Sequence, residues 1–210
     1  SAGSAMTSGA SNIIVGSGAG VATEDVDNAV IIGKGAGAAN MTSDADGTVA
    51  IGYQAGAALT TGQYNTAIGY QALDAATGED KCTAVGYQAL SSLTGGTANS
   101  RNTAVGYQAG TAITTGTGNT AVGTSAGDSI TTGIVNTCIG YNCGQSITDK
   151  SYNTLVGVSS GNVLDANFNT MMGYHAGRYT TTANYSAFIG YAVGQGIDGV
   201  KLTGNNNTAV

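Results

Sequence analysis

Asn65-Thr66-Ala67-Ile68-Gly69-Tyr70-Gln71-Ala72-Leu73 is a nine-residue phrase that returns as NTAVGYQAG over residues 102 to 110 and, in altered forms, along nearly the whole chain. With its glycine as an anchor, the copies fall at Gly16, Gly33, Gly52, Gly69, Gly86, Gly106, Gly123, Gly140, Gly157, Gly173 and Gly190. Successive separations are 17, 19, 17, 17, 20, 17, 17, 17, 16 and 17 residues. So short a unit cannot bury an apolar face alone, and a sustained period near 17 therefore predicts coils that stack on one another. Equivalent positions form columns, and the columns carry the information.

The residue before each anchor is Val15, Ile32, Ile51, Ile68, Val85, Val105, Val122, Ile139, Val156, Met172 or Ile189, always apolar. The residue before that is apolar as well, from Ile14 and Ile31 through Ala50, Ala67, Ala84, Ala104 and Ala121 to Cys138, Leu155, Met171 and Phe188. Neighbouring side chains of a strand point to opposite faces, so two adjacent apolar columns predict a strand buried on both. One face lines the inside of the coil; the other calls for a second sheet of the chain or a second subunit. A further apolar column lies seven residues after the anchor, at Leu59, Leu93, Ile113, Ile130, Ile147, Leu164 and Ile197, usually before a Thr-Thr-Gly. It predicts a second short strand ending in a turn. The expected fold is all-β, a repetitive parallel β-solenoid or β-roll. At ~4.8 Å per stacked strand, eleven coils would give a rod roughly 50 Å long. Residues 1–47 form degenerate early repeats, 48–193 the consensus repeats, and 194–210 an inserted loop leading into a further copy.

Composition agrees with an elongated repeat. The 210 residues include 35 Gly, no Pro and no Trp, and only 9% are charged, against about a quarter in an ordinary soluble domain. The formal charge of -6 and the scattering of Lys34, Lys81, Arg101, Lys150, Arg178 and Lys201 argue against a nucleic-acid partner, which requires clustered cations. No run of about 18 apolar residues is present for membrane insertion. The start has neither a charged nor an apolar leader region. Without an initiating Met, and ending at Asn207-Thr208-Ala209-Val210 just short of another glycine, the chain is expected to be a segment of a longer protein. Three cysteines in three different columns, Cys82, Cys138 and Cys143, argue against a disulfide framework. Apolar burial per coil is modest because much of it is alanine, at ~25 cal/mol per Å². Self-association, a cyclic trimer first, is the simplest remedy for so thin a core.

Tyrosine follows the anchor at Tyr53, Tyr70, Tyr87, Tyr107, Tyr141, Tyr174 and Tyr191, which predicts a ladder of rings along the stack. Rings that stack and seal a seam contribute about 0.5 to 1.5 kcal/mol per pair; left exposed, they could bind glycans. Gln54, Gln71, Gln88 and Gln108 follow them, and Ser125, Asn142, Ser159 and His175 continue that column as an amide or hydrogen-bonding ladder. His175 is the one histidine and reads as a substitute for Gln rather than as a metal ligand. Asn and Thr open most copies, Asn65-Thr66 and Asn102-Thr103 among them, the Asn suiting a turn. A regular Thr array could match an ice surface, although spacings of 19 and 20 residues would disturb its flatness. Glu24, Asp25, Asp27, Asp44 and Asp46 read as solvated loops, since the oxygen spacing of a calcium site is missing. No catalytic grouping, cofactor motif or metal motif is present, so enzymatic activity has no support. Extra residues sit before the anchor phrase, at Asp44-Ala45-Asp46-Gly47 and from Gly95 to Arg101. Asp44, Asp46, Asn99, Arg101, Asp198 and Lys201 are therefore candidate contact residues.

The phrases NTAIGYQAL, NTAVGYQAG and NTLVGVSSG resemble the glycine-rich repeats of bacteriophage tail fibres and, more distantly, the head repeats of trimeric autotransporter adhesins. The resemblance spans residues 12 to 193 and is best from 48 to 177; the copies at Gly16 and Gly33 lack the Tyr-Gln pair. It implies a fibrous homotrimer on a virion or a bacterial surface, a structural or adhesive shaft presenting an attachment tip to a cell-surface glycan or protein receptor. The alternatives are an ice- or glycan-binding solenoid module and a self-polymerising extracellular filament.

Overall fold

The computed structural model describes residues 1–95, 99–196 and 204–210. The chain is an all-β parallel solenoid, with one short strand in each coil. It divides into two compact units, Ser1–Val105 and Gly106–Val210. The first holds β1 (Ile13–Val15), β2 (Val30–Ile32), β3 (Val49–Ile51), β4 (Thr66–Ile68), β5 (Thr83–Val85) and β6 (Thr103–Val105). The second holds β7 (Thr120–Val122), β8 (Thr137–Ile139), β9 (Thr154–Val156), β10 (Thr170–Met172), β11 (Ala187–Ile189) and β12 (Thr208–Ala209). Within each unit every strand pairs in parallel with the next.

Each full strand is a β-branched or otherwise apolar pair around a central residue, and the glycine that follows ends it. At Gly140 φ is +135°, and a Cβ there would lie 2.5 Å from the carbonyl oxygen of Gly157 in the next coil. A side chain is thus excluded by conformation and by space together. The central residues point inward: Ile31, Ala50, Ala67, Ala84 and Ala104 in the first unit, and Ala121, Cys138, Leu155, Met171 and Phe188 in the second, are all buried. Opposite them lie a column of small residues, such as Ala55, Ala72, Ala109 and Ala126, and the larger Leu59, Leu93, Ile113, Ile130, Ile147 and Leu164. Small and large therefore alternate across a narrow core, as close packing requires.

Two expectations are corrected. The column seven residues after the anchor is buried as expected, but it forms no strand among the described residues. Its last member, Ile197, lies outside them. The chain ahead of that column takes left-handed conformations twice in three residues, at Gln71 (φ 51°) and Leu73 (φ 54°), or at Gln108 (φ 52°) and Gly110 (φ 57°). So tight a corner prevents extension, yet bonds between coils continue round it. Gln71 N–H donates to Tyr53 O at 2.8 Å, Leu73 N–H to Ala89 O at 3.0 Å and Thr131 N–H to Thr148 O at 2.7 Å. The second correction concerns what covers the outer face: among the described residues no second sheet of the same unit does so, and within each unit the sheet is buried on its inner face alone. The column just before the anchors faces outward and is partly or fully exposed within each unit.

Extra residues leave the sheet undisturbed. In the 19-residue coil they form a 3-10 helix, Ser43–Ala45, whose start is capped by Thr42 Oγ1 accepting from Asp44 N–H at 3.4 Å. Val30 still faces Val49 across the ladder, and Thr83 still faces Thr103 across the 20-residue coil. The strand register therefore survives both longer coils. Within the 20-residue coil, residues 96–98 lie outside the described ones.

Candidate assembly and recognition surfaces

The outward sheet face of each unit is made of two columns. In the first unit they are Ile13, Val30, Val49, Thr66, Thr83 and Thr103 beside Val15, Ile32, Ile51, Ile68, Val85 and Val105. In the second they are Thr120, Thr137, Thr154, Thr170 and Ala187 beside Val122, Ile139, Val156, Met172 and Ile189. None is charged, and nearly all are β-branched. Ile139, Met172 and Ile189 are 38%, 41% and 41% exposed, a large apolar stripe for a chain to leave in water.

The Thr hydroxyls on this face differ from those in the turns. Thr60, Thr114 and Thr131 each donate through Oγ1 to a carbonyl of the next coil, at 3.1, 3.2 and 3.1 Å. Among the described residues, Thr66, Thr83, Thr103, Thr120, Thr137, Thr154 and Thr170 spend no hydroxyl on the protein.

The expected tyrosine ladder forms where tyrosines are consecutive. Tyr53 stacks on Tyr70 with ring centroids 5.0 Å apart, Tyr70 on Tyr87 at 5.2 Å, and Tyr174 on Tyr191 at 5.2 Å. Thr124 and Val158 interrupt it on either side of Tyr141. All seven rings are substantially exposed, so they seal no corner within the chain. Where the rings stack, each shares a face with its neighbour, which leaves less open aromatic face for a sugar ring there. A second ladder, Tyr152, Phe168 and Tyr185, stacks at 5.0 Å and 5.0 Å ahead of the strands. Sequence reading missed it. The signal is an aromatic five residues before three successive anchors, one residue ahead of the Asn at which the repeated phrase begins.

Amide ladders run beside both faces. Gln71 Nε2 donates to Gln54 Oε1 at 3.2 Å, and Gln88 Nε2 to Gln71 Oε1 at 3.2 Å, as the Gln column suggested. The Asn column is different from the turn expected of it. Asn136, Asn153 and Asn169 are buried and donate in series through Nδ2, Asn136 to Asn119 Oδ1 at 3.1 Å, Asn153 to Asn136 Oδ1 at 3.2 Å and Asn169 to Asn153 Oδ1 at 3.2 Å. The left-handed residue is the one before, Tyr64, Arg101, Val135, Tyr152 or Phe168.

The acidic residues separate into two kinds. Asp27 Oδ1 accepts from Ala10 N–H at 2.6 Å, and Asp46 Oδ1 accepts from Asp27 N–H at 2.7 Å. Asp80, Ser151, Asn167 and Asn184 fill the same column with the same bond to the preceding coil, at 2.9, 3.0, 2.7 and 2.8 Å. Asp27 and Asp46 are therefore part-buried ties between coils, which corrects their reading as solvated loop. Glu24 and Asp44 are exposed. Asn99 Oδ1 accepts from Lys81 Nζ at 2.9 Å and from Arg101 Nη2 at 3.1 Å, an exposed polar cluster. Asp198 and Lys201 lie outside the described residues.

His175 takes the Gln position with φ 57°, its ring 3.8 Å from that of Tyr174. Arg178 Nη1 stands 3.5 Å from Nδ1 and 3.4 Å from Nε2. Burial, and then the guanidinium charge, hold the imidazole pKa below its usual value, so this corner disfavours a second cation. Lys150 Nζ bridges Asp149 at 2.9 Å and Asp165 at 3.1 Å, which lowers the Asp149 pKa and raises that of Lys150. Asp74 and Asp128 are pushed up by burial. The Cys82 thiol is pushed up to about 11, chiefly by burial, and Cys138 well above its usual range by hydrogen bonding with Cys143 and by burial. Among the described residues no group of three or more His, Cys, Asp or Glu gathers to hold a metal ion, and no cavity forms. No protein-family model, curated protein or solved structure matches this chain.

Proposed function

We propose that this chain is a structural or adhesive shaft segment that works as a homotrimeric fibre, as in a phage tail fibre or a bacterial surface adhesin, and presents an attachment tip without chemistry of its own. The observation that carries the reading is the outward sheet face, uncharged, β-branched and partly exposed in both units. Such a face is costly in water and suits a regular partner with the same repeat, which a second and third copy supply. Presentation of several tips on one shaft would raise avidity without new contacts. Light scattering tests it: the expected mass is three times the 20.5 kDa of the chain, and a monodisperse monomer at micromolar concentration sinks the reading.

A second reading rests on the unpartnered Thr hydroxyls. A flat rank of hydroxyls beside a rank of Val and Ile methyls could order water into an ice-like layer, making the chain an ice-binding module. That reading requires the face to be open in solution. Thermal hysteresis in a monomeric sample, lost on Thr137→Lys, would favour it over the fibre.

A further inference from the structure

Two of the three sulfur-bearing columns face each other. Cys138 is the central residue of β8, Cys143 lies three residues past the anchor Gly140, and both are fully buried. In the preceding coil the same two positions hold Ala121 and Ala126, and the coil that follows has Leu155 and Ser160. Sulfur occupies both inner columns in this coil alone. A Cβ placed on Gly144 would lie 2.7 Å from Cys138 Sγ, so that thiol reaches across the coil onto the backbone next to Cys143. Cys143 Sγ in turn sits 3.2 Å from Leu155 O, inside the core. Cys82 belongs to the other unit and another column.

We propose that Cys138 and Cys143 form an intracoil disulfide by exchange with a low-molecular-weight disulfide of the glutathione type. The thiolate of one cysteine attacks a sulfur of the reagent, breaking its S–S bond and releasing one thiolate. The second cysteine then attacks the mixed disulfide and releases the other. Two electrons pass from the cysteines to the reagent, and the two protons end on the released thiols. Both thiols are fully buried in the folded coil and out of reach of the reagent, so exchange occurs while the coil is open, during folding or local unfolding. The outcome is a covalent staple across one corner, present in an oxidising surrounding and absent in a reducing one.

The experiment is refolding of the full chain in a mixture of reduced and oxidised glutathione, followed by denaturation, alkylation and tryptic digestion. Cleavage after Lys81, Arg101 and Lys150 places Cys82 in residues 82–101 and both other cysteines in residues 102–150. The expected result is an unalkylated 102–150 peptide lighter than its reduced form by two hydrogens, with Cys82 alkylated. Prior reduction should restore two alkylations. Cys138→Ala with Cys143→Ala restores the pair of residues found in the neighbouring coil, so it should fold and show no redox-dependent change in protease resistance. Three alkylated cysteines after oxidative refolding, or a bridge that involves Cys82, would overturn the proposal. Neither result depends on whether the chain assembles.

Discussion

Asn136 shows what one residue holds here. Its Nδ2 donates to Asn119 Oδ1 at 3.1 Å and to Lys150 O at 2.7 Å, while its Oδ1 accepts from Asn153 N–H at 3.1 Å. Asn136→Ala removes the partners of Lys150 O and Asn153 N–H on the following coil, while Asn119 Oδ1 keeps the Asn136 backbone N–H at 2.9 Å, and a stability loss of about 2 kcal/mol is expected in urea unfolding. Gln71→Ala, in the half-buried ladder, should cost under about 1 kcal/mol, because water replaces what is removed. Asp128 gives a pH-dependent case. Burial raises its folded-state pKa from 3.8, so the folded chain binds the proton more tightly than the unfolded one. The stability associated with that proton is fully present below 3.8 and is lost as pH rises through the folded value. Asp128→Asn should therefore stabilise at pH 7, by under about 1 kcal/mol because the carboxyl is only part-buried, and should change nothing in strong acid. An equal effect at both pH extremes would rule out this assignment. The burial of Asn136 was hidden in the sequence, since Asn is as common in a turn as in a ladder and only stacking tells them apart.

At the scale of the element, the coil depends on a few backbone conformations more than on side-chain bulk. Gly140→Ala places a methyl against the Gly157 carbonyl at φ +135° and is expected to cost about 3 kcal/mol or more, well above an ordinary surface change. Two residues inserted after Asp44 should by contrast be neutral within about 0.5 kcal/mol, because that exposed segment already absorbs the surplus of a longer coil while Val30 keeps its register with Val49. Thermal unfolding of both variants measures the contrast. The anchor glycines made the coil period legible, since a required backbone conformation recurs whatever the neighbouring side chains. Leu59 and Ile130 misled in one respect: burial was correctly implied, but an isolated apolar residue beside a turn has no periodicity with which to specify a strand. The left-handed positions at Leu73 and Val135 were equally illegible, because neither residue favours that conformation by itself.

At the scale of the whole molecule the columns leave one question of energetics, which is what covers the outward face. An assembly held by β-branched side chains should be insensitive to salt, since no charged column faces outward and screening has little to act on. A charge placed on the face should be decisive. Ile139→Lys and Val156→Lys put two ammonium groups on adjacent rungs, where a homotypic contact would have to bury them unpaired. Both residues are outside the core and partly exposed, so the coil itself should survive. The expected outcome is a fall from three times 20.5 kDa to the mass of one chain, with an unchanged far-ultraviolet circular dichroism spectrum. Ala57→Lys, at a half-buried position outside the strands, is the control that should leave the mass unaltered. If the double variant keeps the trimer mass, the outward face is not the seam; the exposed aromatic ladder at Tyr152, Phe168 and Tyr185 would then be the surface to alter next, because it is another regular apolar feature that repeats once per coil.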